Sequence, residues 1–275
     1  MTEDEAFIRA IVEQPGDDLP RLVYADWLDE RDNPRGAYLR AEAEWAKPWR
    51  ERTPPGWSAP TPDAHPPEWE RAVWPGLAAM RDRGRGLDPV WVARVSRPPA
   101  GVCCDHLVLH RSGPRLSPAD VAAGEARLRL RFPPALAAFL LDRNGGEPAP
   151  DKLVFRHRDG DDWGSDWVGV DGFGQVRPSA EAGEAAPAGE VWTLEEQRDD
   201  LIGWREDDPA AAALARRYLV IGRHSAGTGF LLVRPAGRSA GAVFGLDPDD
   251  DDLTLQPLAP SLPELLGRII PDPPF

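Results

Sequence analysis

Apolar positions recur along this chain in two rhythms. Over residues 4–44 they fall at helical spacing. Phe7, Ile8, Ile11 and Val12 form one face. A turn follows at Gln14-Pro15-Gly16-Asp17-Asp18, and Leu19, Leu22, Val23 and Trp27 predict a second buried stripe, on a helix that Asp18 can cap. Asn33-Pro34 stops it, and Gly36 to Glu44 predicts a third helix with Tyr38 and Leu39 as its larger apolar residues. The rhythm then breaks. Pro48, Pro54, Pro55, Pro60, Pro62, Pro66 and Pro67 predict a semi-rigid linker over 45–67 that does not sustain a helix, with Trp45, Trp49 and Trp57 docking it onto a domain surface. Trp69, Val73 and Leu77 restore helical spacing over Glu68 to Met80. Residues 87–97 fit either a strand or a short helix, and Val102 to His110 predicts a strand.

The second half mixes both rhythms. Ser117 is a good N-cap with Pro118 at the first helical position, and Val121, Leu128 and Leu130 make a partly apolar helix. Phe132-Pro133-Pro134 ends that helix and starts another, carrying Leu136, Phe139 and Leu140. Asn144-Gly145-Gly146, which tolerates positive φ, closes it. Strands are predicted at 152–156, 167–170, 218–223, 229–234 and 241–246, helices at 194–204 and 209–217, and a mobile Ala/Glu/Gly loop at 179–189. This order predicts an α+β fold, one curved sheet backed by helices on one face, preceded by a small helical module. The expected segments are a module at 1–44, a linker at 45–67, a bridging helix and strand at 68–110, and the α+β domain at 111–275.

Two family resemblances sharpen this reading. The stretch LSPADVAAGEARLRLRFPPALAAFLLDRNGG over 116–146 is similar to the opening of the SUKH superfamily: a Ser-Pro cap, a glutamate near Glu125, a Phe-Pro step and a helix ending in Asn-Gly-Gly. Tyr218 to Gly222, Phe230 to Val233, Gly241 to Phe244 and Ala259 to Leu266 resemble the family's later strands and closing helix, in the family's order. The resemblance covers about residues 111–275. It implies a non-enzymatic bacterial immunity protein that neutralises a cognate toxin, such as a nuclease, by binding it. Residues 4–44, on the strength of Pro20 and RLVYADWLDER at 21–31, then Pro34-Arg35-Gly36 and Leu39-Arg40, resemble the repeat-companion domain, a bacterial helical module often found ahead of repeat arrays. No leucine-rich period follows here.

The 275 residues are 41% hydrophobic, enough for a core, and no apolar run approaches the length of a membrane span. The acidic start MTEDEAFIRA lacks a signal peptide's basic region, so a cytoplasmic protein is expected. Two adjacent cysteines, Cys103 and Cys104, exclude a disulfide framework. The net charge is −14 and uneven: −3 over residues 1–150 and −11 over 151–275. Such a field repels nucleic acid and attracts basic partners.

Candidate chemistry is sparse. Cys103, Cys104, His106 and His110 are the best zinc set, but a strand there would turn Cys103 away from Cys104 and His106, and buried cysteines are the simpler reading. Neither acidic run, 159–166 or 247–252, meets the calcium-loop pattern, and both are expected to be solvated acidic turns. Phosphate-loop, serine-hydrolase and metalloprotease motifs are missing. The expectation is therefore a protein that is not an enzyme, takes no metal or cofactor, and binds a protein, with neither nucleic acid nor membrane as partner. Its partner-binding groups are expected at Asp161, Asp162, Trp163 and Asp166, tryptophan amid charge, and then at Asp249, Asp250, Asp251 and Asp252. A regulatory or scaffold adaptor for endogenous proteins is the alternative, which the extra N-terminal module favours.

Overall fold

The computed structural model describes residues 2–52, 67–159, 162–178, 192–204, 208–225, 227–249 and 252–270, with backbone alone at 48–52, 67–73, 155–159, 162–166 and 270. The predicted loop at 179–189 lies outside the described residues. The chain divides into two compact units, Met1–His106 and Leu107–Phe275. None of the described helices is long and apolar enough to cross a membrane.

The first unit is helical: α1 (Glu3–Glu13), α2 (Leu19–Asp29), α3 (Arg35–Arg52), α4 (Pro67–Arg83) and α5 (Pro89–Val95). The stretch that fitted strand or helix is α5, opened by the Asp88 carboxylate on the Val90 amide at 3.0 Å. Its Trp91 and Val95 share one core with Ile8, Ile11, Tyr24, Leu28, Tyr38, Leu39, Trp45, Leu77 and Met80. Two expectations fail here. The linker does not begin at 45, because α3 runs on through Pro48 to Arg52, and Trp45 and Ala46 are core residues rather than linker contacts. Their burial outweighs the single backbone hydrogen bond a proline removes. The buried stripe of α2 is Arg21, Tyr24, Ala25 and Leu28, while Leu19 and Val23 are 63% and 46% exposed.

Arg21 explains the rotation of α2. Its guanidinium is fully buried and donates to the carbonyls of Val95 (3.1 Å), Pro15 (2.9 Å) and Asp17 (3.0 Å), and to Cys103 Sγ (3.2 Å). Glu42 of α3, also fully buried, lies 3.2 Å from Arg21 and accepts from the amide and guanidinium of Arg97 at 3.0 and 2.7 Å. Arg97 reaches on to Pro15 O and Asp18. One carboxylate thus holds two guanidiniums that fasten the 15–18 turn, α2, α3 and the 95–103 segment together.

Cys103 belongs to this network. The expected strand at 102–110 shrinks to β1 (Val108–His110), and both cysteines sit in the buried turn before it. His106 faces Asp105 at 3.6 Å, and its imidazole lowers the Asp105 carboxyl below its ordinary range. No His/Cys/Asp/Glu group among the described residues could hold a metal ion.

The second unit is α+β. After β1 come α6 (Pro118–Leu128), α7 (Pro134–Arg143), β2 (Glu147–Ala149), β3 (Lys152–Asp159), β4 (Asp162–Phe173), α8 (Leu194–Trp204), α9 (Pro209–Arg217), β5 (Leu219–His224), β6 (Gly229–Val233), β7 (Val243–Leu246), β8 (Leu255–Ala259), α10 (Leu262–Gly267) and β9 (Ile269–Ile270). The first two strands pair apart. The others form one antiparallel sheet, ordered β8-β7-β6-β5-β4-β3-β9. Ser117 caps α6 in a reciprocal pair with Asp120. Glu125 accepts from the Phe132 amide at 2.8 Å and from Arg131 at 2.7 Å, which closes the step into α7. Asn144 ends α7 in the left-handed conformation at φ 43° and is fully buried; its amide donates to Pro114 O (2.9 Å) and Val176 O (3.1 Å) and accepts from the Val176 amide (2.8 Å). Gly145 follows at φ 73°, where a Cβ would stand 2.6 Å from Phe173 O, so only glycine fits.

Every residue of β5 and β6 is buried, so both faces of the sheet are covered rather than one. Leu201, Ala211 and Ala215 of α8 and α9 cover Val220, Phe230, Leu232 and Leu246. The sheet also curls until β3 touches β8. His224 lies beside Gly229 and Gly245, where added Cβ atoms would meet its ring at 2.2 and 3.5 Å. Burial lowers its pKa below 6.5, opposed by Asp171 and Asp247.

Two stability tests follow from these buried groups. Glu42→Gln leaves two buried guanidiniums undercompensated and lowers the opening free energy of residues 2–52 by about 3–5 kcal/mol, read by hydrogen exchange on the full chain. Neutral His224 binds its proton in the unfolded chain before it does in the folded one. Its contribution is complete above about pH 6.5 and declines as pH falls towards the folded pKa. His224→Gln flattens the urea midpoint between about pH 7 and pH 5.5, where the wild-type midpoint falls more steeply.

Candidate protein-binding surface

The antiparallel order puts three turns at one end of the sheet: β3–β4, β5–β6 and β7–β8. Both predicted acidic runs are therefore at that end, but in different settings. Val170 is the first β4 residue paired with β5, opposite His224, and Ser225 N donates to Gly169 O at 2.8 Å. Residues 162–168 extend past that point for about 23 Å, paired with β3 alone among the described residues. Asp162, Trp163 and Asp166 belong to this ribbon, so the segment 162–166 is strand rather than a solvated turn. Asp161 lies outside the described residues.

The register sets no opposite charges directly across from one another, and Asp159 stands opposite Asp162. Arg158 stands opposite Trp163, Arg156 opposite Ser165, and Phe155 opposite Asp166. Summed over the described residues 152–159 and 162–169, Lys152, Arg156 and Arg158 offset Asp159, Asp162 and Asp166. The ribbon is thus close to neutral, which the acidic run read alone did not reveal.

The β7–β8 turn carries Asp249 and Asp252, both exposed; Asp250 and Asp251 lie outside the described residues. Asp249 is held in place. Its amide donates to Asp247 Oδ1 at 2.9 Å, and its carboxylate accepts from Trp204 Nε1 at 3.1 Å. Trp204, at the end of α8, is 45% exposed and meets Phe230 edge to face at 6.3 Å. The Arg223 guanidinium covers the other side of this system, 3.9 Å from the Phe230 centroid, and bonds Asp200 at 2.6 Å. It lies 5.6 Å from the ring of Trp192, itself 38% exposed. Trp192 continues into a small cleft lined by Arg111, Glu147, Asp171 and Phe173. Burial lowers the Arg223 pKa, while Asp200 and then Asp171 raise it.

Trp192, Arg223, Asp200, Trp204 and Asp249 therefore make one surface from three separate stretches of chain. Asp249 was expected in a site; the two tryptophans were not. The only signal for them was their position at either end of a predicted helix, with polar residues beside each. Trp167, a third exposed indole at 39%, stands apart on β4 with the Lys152 ammonium 5.1 Å from its ring.

What the surface offers is half-exposed indole area edged by carboxylates, the composition of a protein interface. No curated protein matches the chain. The family description "SMI1 / KNR4 family (SUKH-1)" matches residues 115–268, from the cap of α6 to the end of α10. A match over more than half the chain, on the helices and strands that carry this surface, makes the protein a member of the SMI1 / KNR4 family (SUKH-1), whose domains are generally non-catalytic protein-interaction modules of the immunity type.

Proposed function

We propose that this protein neutralises a bacterial toxin by binding it through the second unit. Family membership over 115–268 carries the reading. Charge supports it: residues 151–275 hold a net −11, and a nuclease or other phosphate-handling toxin presents a basic surface. An acidic blocker meets such a surface quickly and competes there with nucleic acid. The turn end of the sheet faces the partner, with Asp249 to Asp252 and the ribbon groups Asp161, Asp162, Trp163 and Asp166 contributing.

The adaptor reading stays as the second, favoured by one observation: the first unit has a core of its own and resembles the repeat-companion module. A protein whose whole task is to block one toxin needs no such addition.

Affinity capture at low and high salt separates the two. One dominant basic toxin, released by salt and inhibited stoichiometrically by the purified chain, supports neutralisation; several endogenous proteins and no toxin support the adaptor. With the toxin in hand, Asp161→Lys, Asp162→Lys and Asp166→Lys combined slow association about tenfold or more at low salt and leave the urea midpoint unchanged. Unchanged association kinetics remove the ribbon from the interface.

A further inference from the structure

We infer that the Trp192–Arg223–Trp204 surface is the docking site for an arginine-bearing segment of the protein partner. This deepens the binding reading above and rests on it.

The argument begins from exposure. Two large indoles stand 38% and 45% exposed on the second unit, and both are fixed in place. Trp204 is oriented by its hydrogen bond to Asp249 and by Phe230, and Trp192 by Arg223. Preoriented aromatic side chains give contact area at little cost in conformational entropy, which is why they anchor interfaces.

Charge then selects the occupant. The carboxylates of Asp171, Asp200 and Asp249 share the surface with the Arg223 guanidinium, and Arg111 at its margin is tied to Glu147 at 3.0 Å. The Asp200 side chain is still 51% exposed although it binds Arg223, so it has open lone pairs for a second donor. Arg223 shows the chemistry that the surface suits, a guanidinium lying on an aromatic face with a carboxylate at its edge. A planar guanidinium from a partner can stack on an indole and pair with Asp200 or Asp249 together, which an ammonium does less well. An acidic segment would meet three carboxylates and is disfavoured.

The test uses the full chain, labelled with nitrogen-15, and the peptide (Gly-Arg)5, with (Gly-Glu)5 as the like-charged control. Indole N–H signals are read, those of Trp192 and Trp204 being assigned through Trp192→Phe and Trp204→Phe. The expected result is saturable movement of these two signals, more than of the other indoles, with the arginine peptide alone. Asp249→Asn keeps an acceptor for Trp204 while removing the charge, and weakens the apparent affinity about threefold or more. Asp200→Asn does the same, with circular dichroism confirming that it is folded. Movement spread evenly over the indoles, no movement at Trp192 and Trp204, or unchanged affinity in both folded variants would overturn the inference. A toxin that binds Trp192→Ala and Trp204→Ala chains as tightly as wild type also overturns it and leaves neutralisation standing. A localised peptide response in a chain that inhibits no toxin supports the surface and removes neutralisation.

Discussion

Both units of this protein are organised by the same constraint: a polar group taken out of water must find every partner inside. In the first unit the group is Glu42, whose carboxylate holds Arg21 and Arg97. Those guanidiniums supply donors to the carbonyls of Pro15, Asp17 and Val95, which belong to a turn and a helix end. In the second unit it is Asn144, which satisfies Pro114 and Val176 from the end of α7. Irregular backbone is held this way because an orphaned buried amide or carbonyl costs about 1–3 kcal/mol. The apolar cores fill in around these ties.

The same accounting shapes the candidate surface. Arg223 is buried against Phe230, and its charge is answered by Asp200 at the edge. That pair keeps a cation beneath a surface rich in carboxylates and leaves the indoles of Trp192 and Trp204 partly in water. Acidity alone would make the second unit attractive to any basic molecule. Two oriented indoles among the carboxylates add shape and apolar area, which turn a long-range attraction into a specific contact.

Several features were legible because they are local. The Ser117 cap, the Pro118 start, the Asn144-Gly145-Gly146 stop, the helices at 194–204 and 209–217, and the strands β5 to β7 each depend on residues within a few positions of one another. Others were not. The stripe of α2 misled because apolar Leu19 and Val23 outrank Arg21 on any hydropathy scale, and only Glu42, 21 residues away, makes burial of Arg21 favourable. Prolines suggested a linker from 45, but Trp45 has a core to enter and α3 continues past it. The acidic segment 162–166 looked like a turn because the predicted strands stop at 156 and resume at 167, and only their pairing carries both on to Asp159 and Asp162.

The sequence by itself determined the α+β class, the family of the second unit, the caps and stops of its helices, and the excess of negative charge. These follow from backbone preferences, period and composition, which act over one or two turns of chain. Tertiary structure alone decided which charges are balanced and which stay open. It paired the acidic segment 162–166 with the strand that carries Arg156 and Arg158, and brought Trp192, Arg223, Trp204 and Asp249 from three stretches onto one surface. Electrostatic and aromatic contacts depend on distance in space, and that distance is set only when the sheet order and the packing of α8 against it are in place.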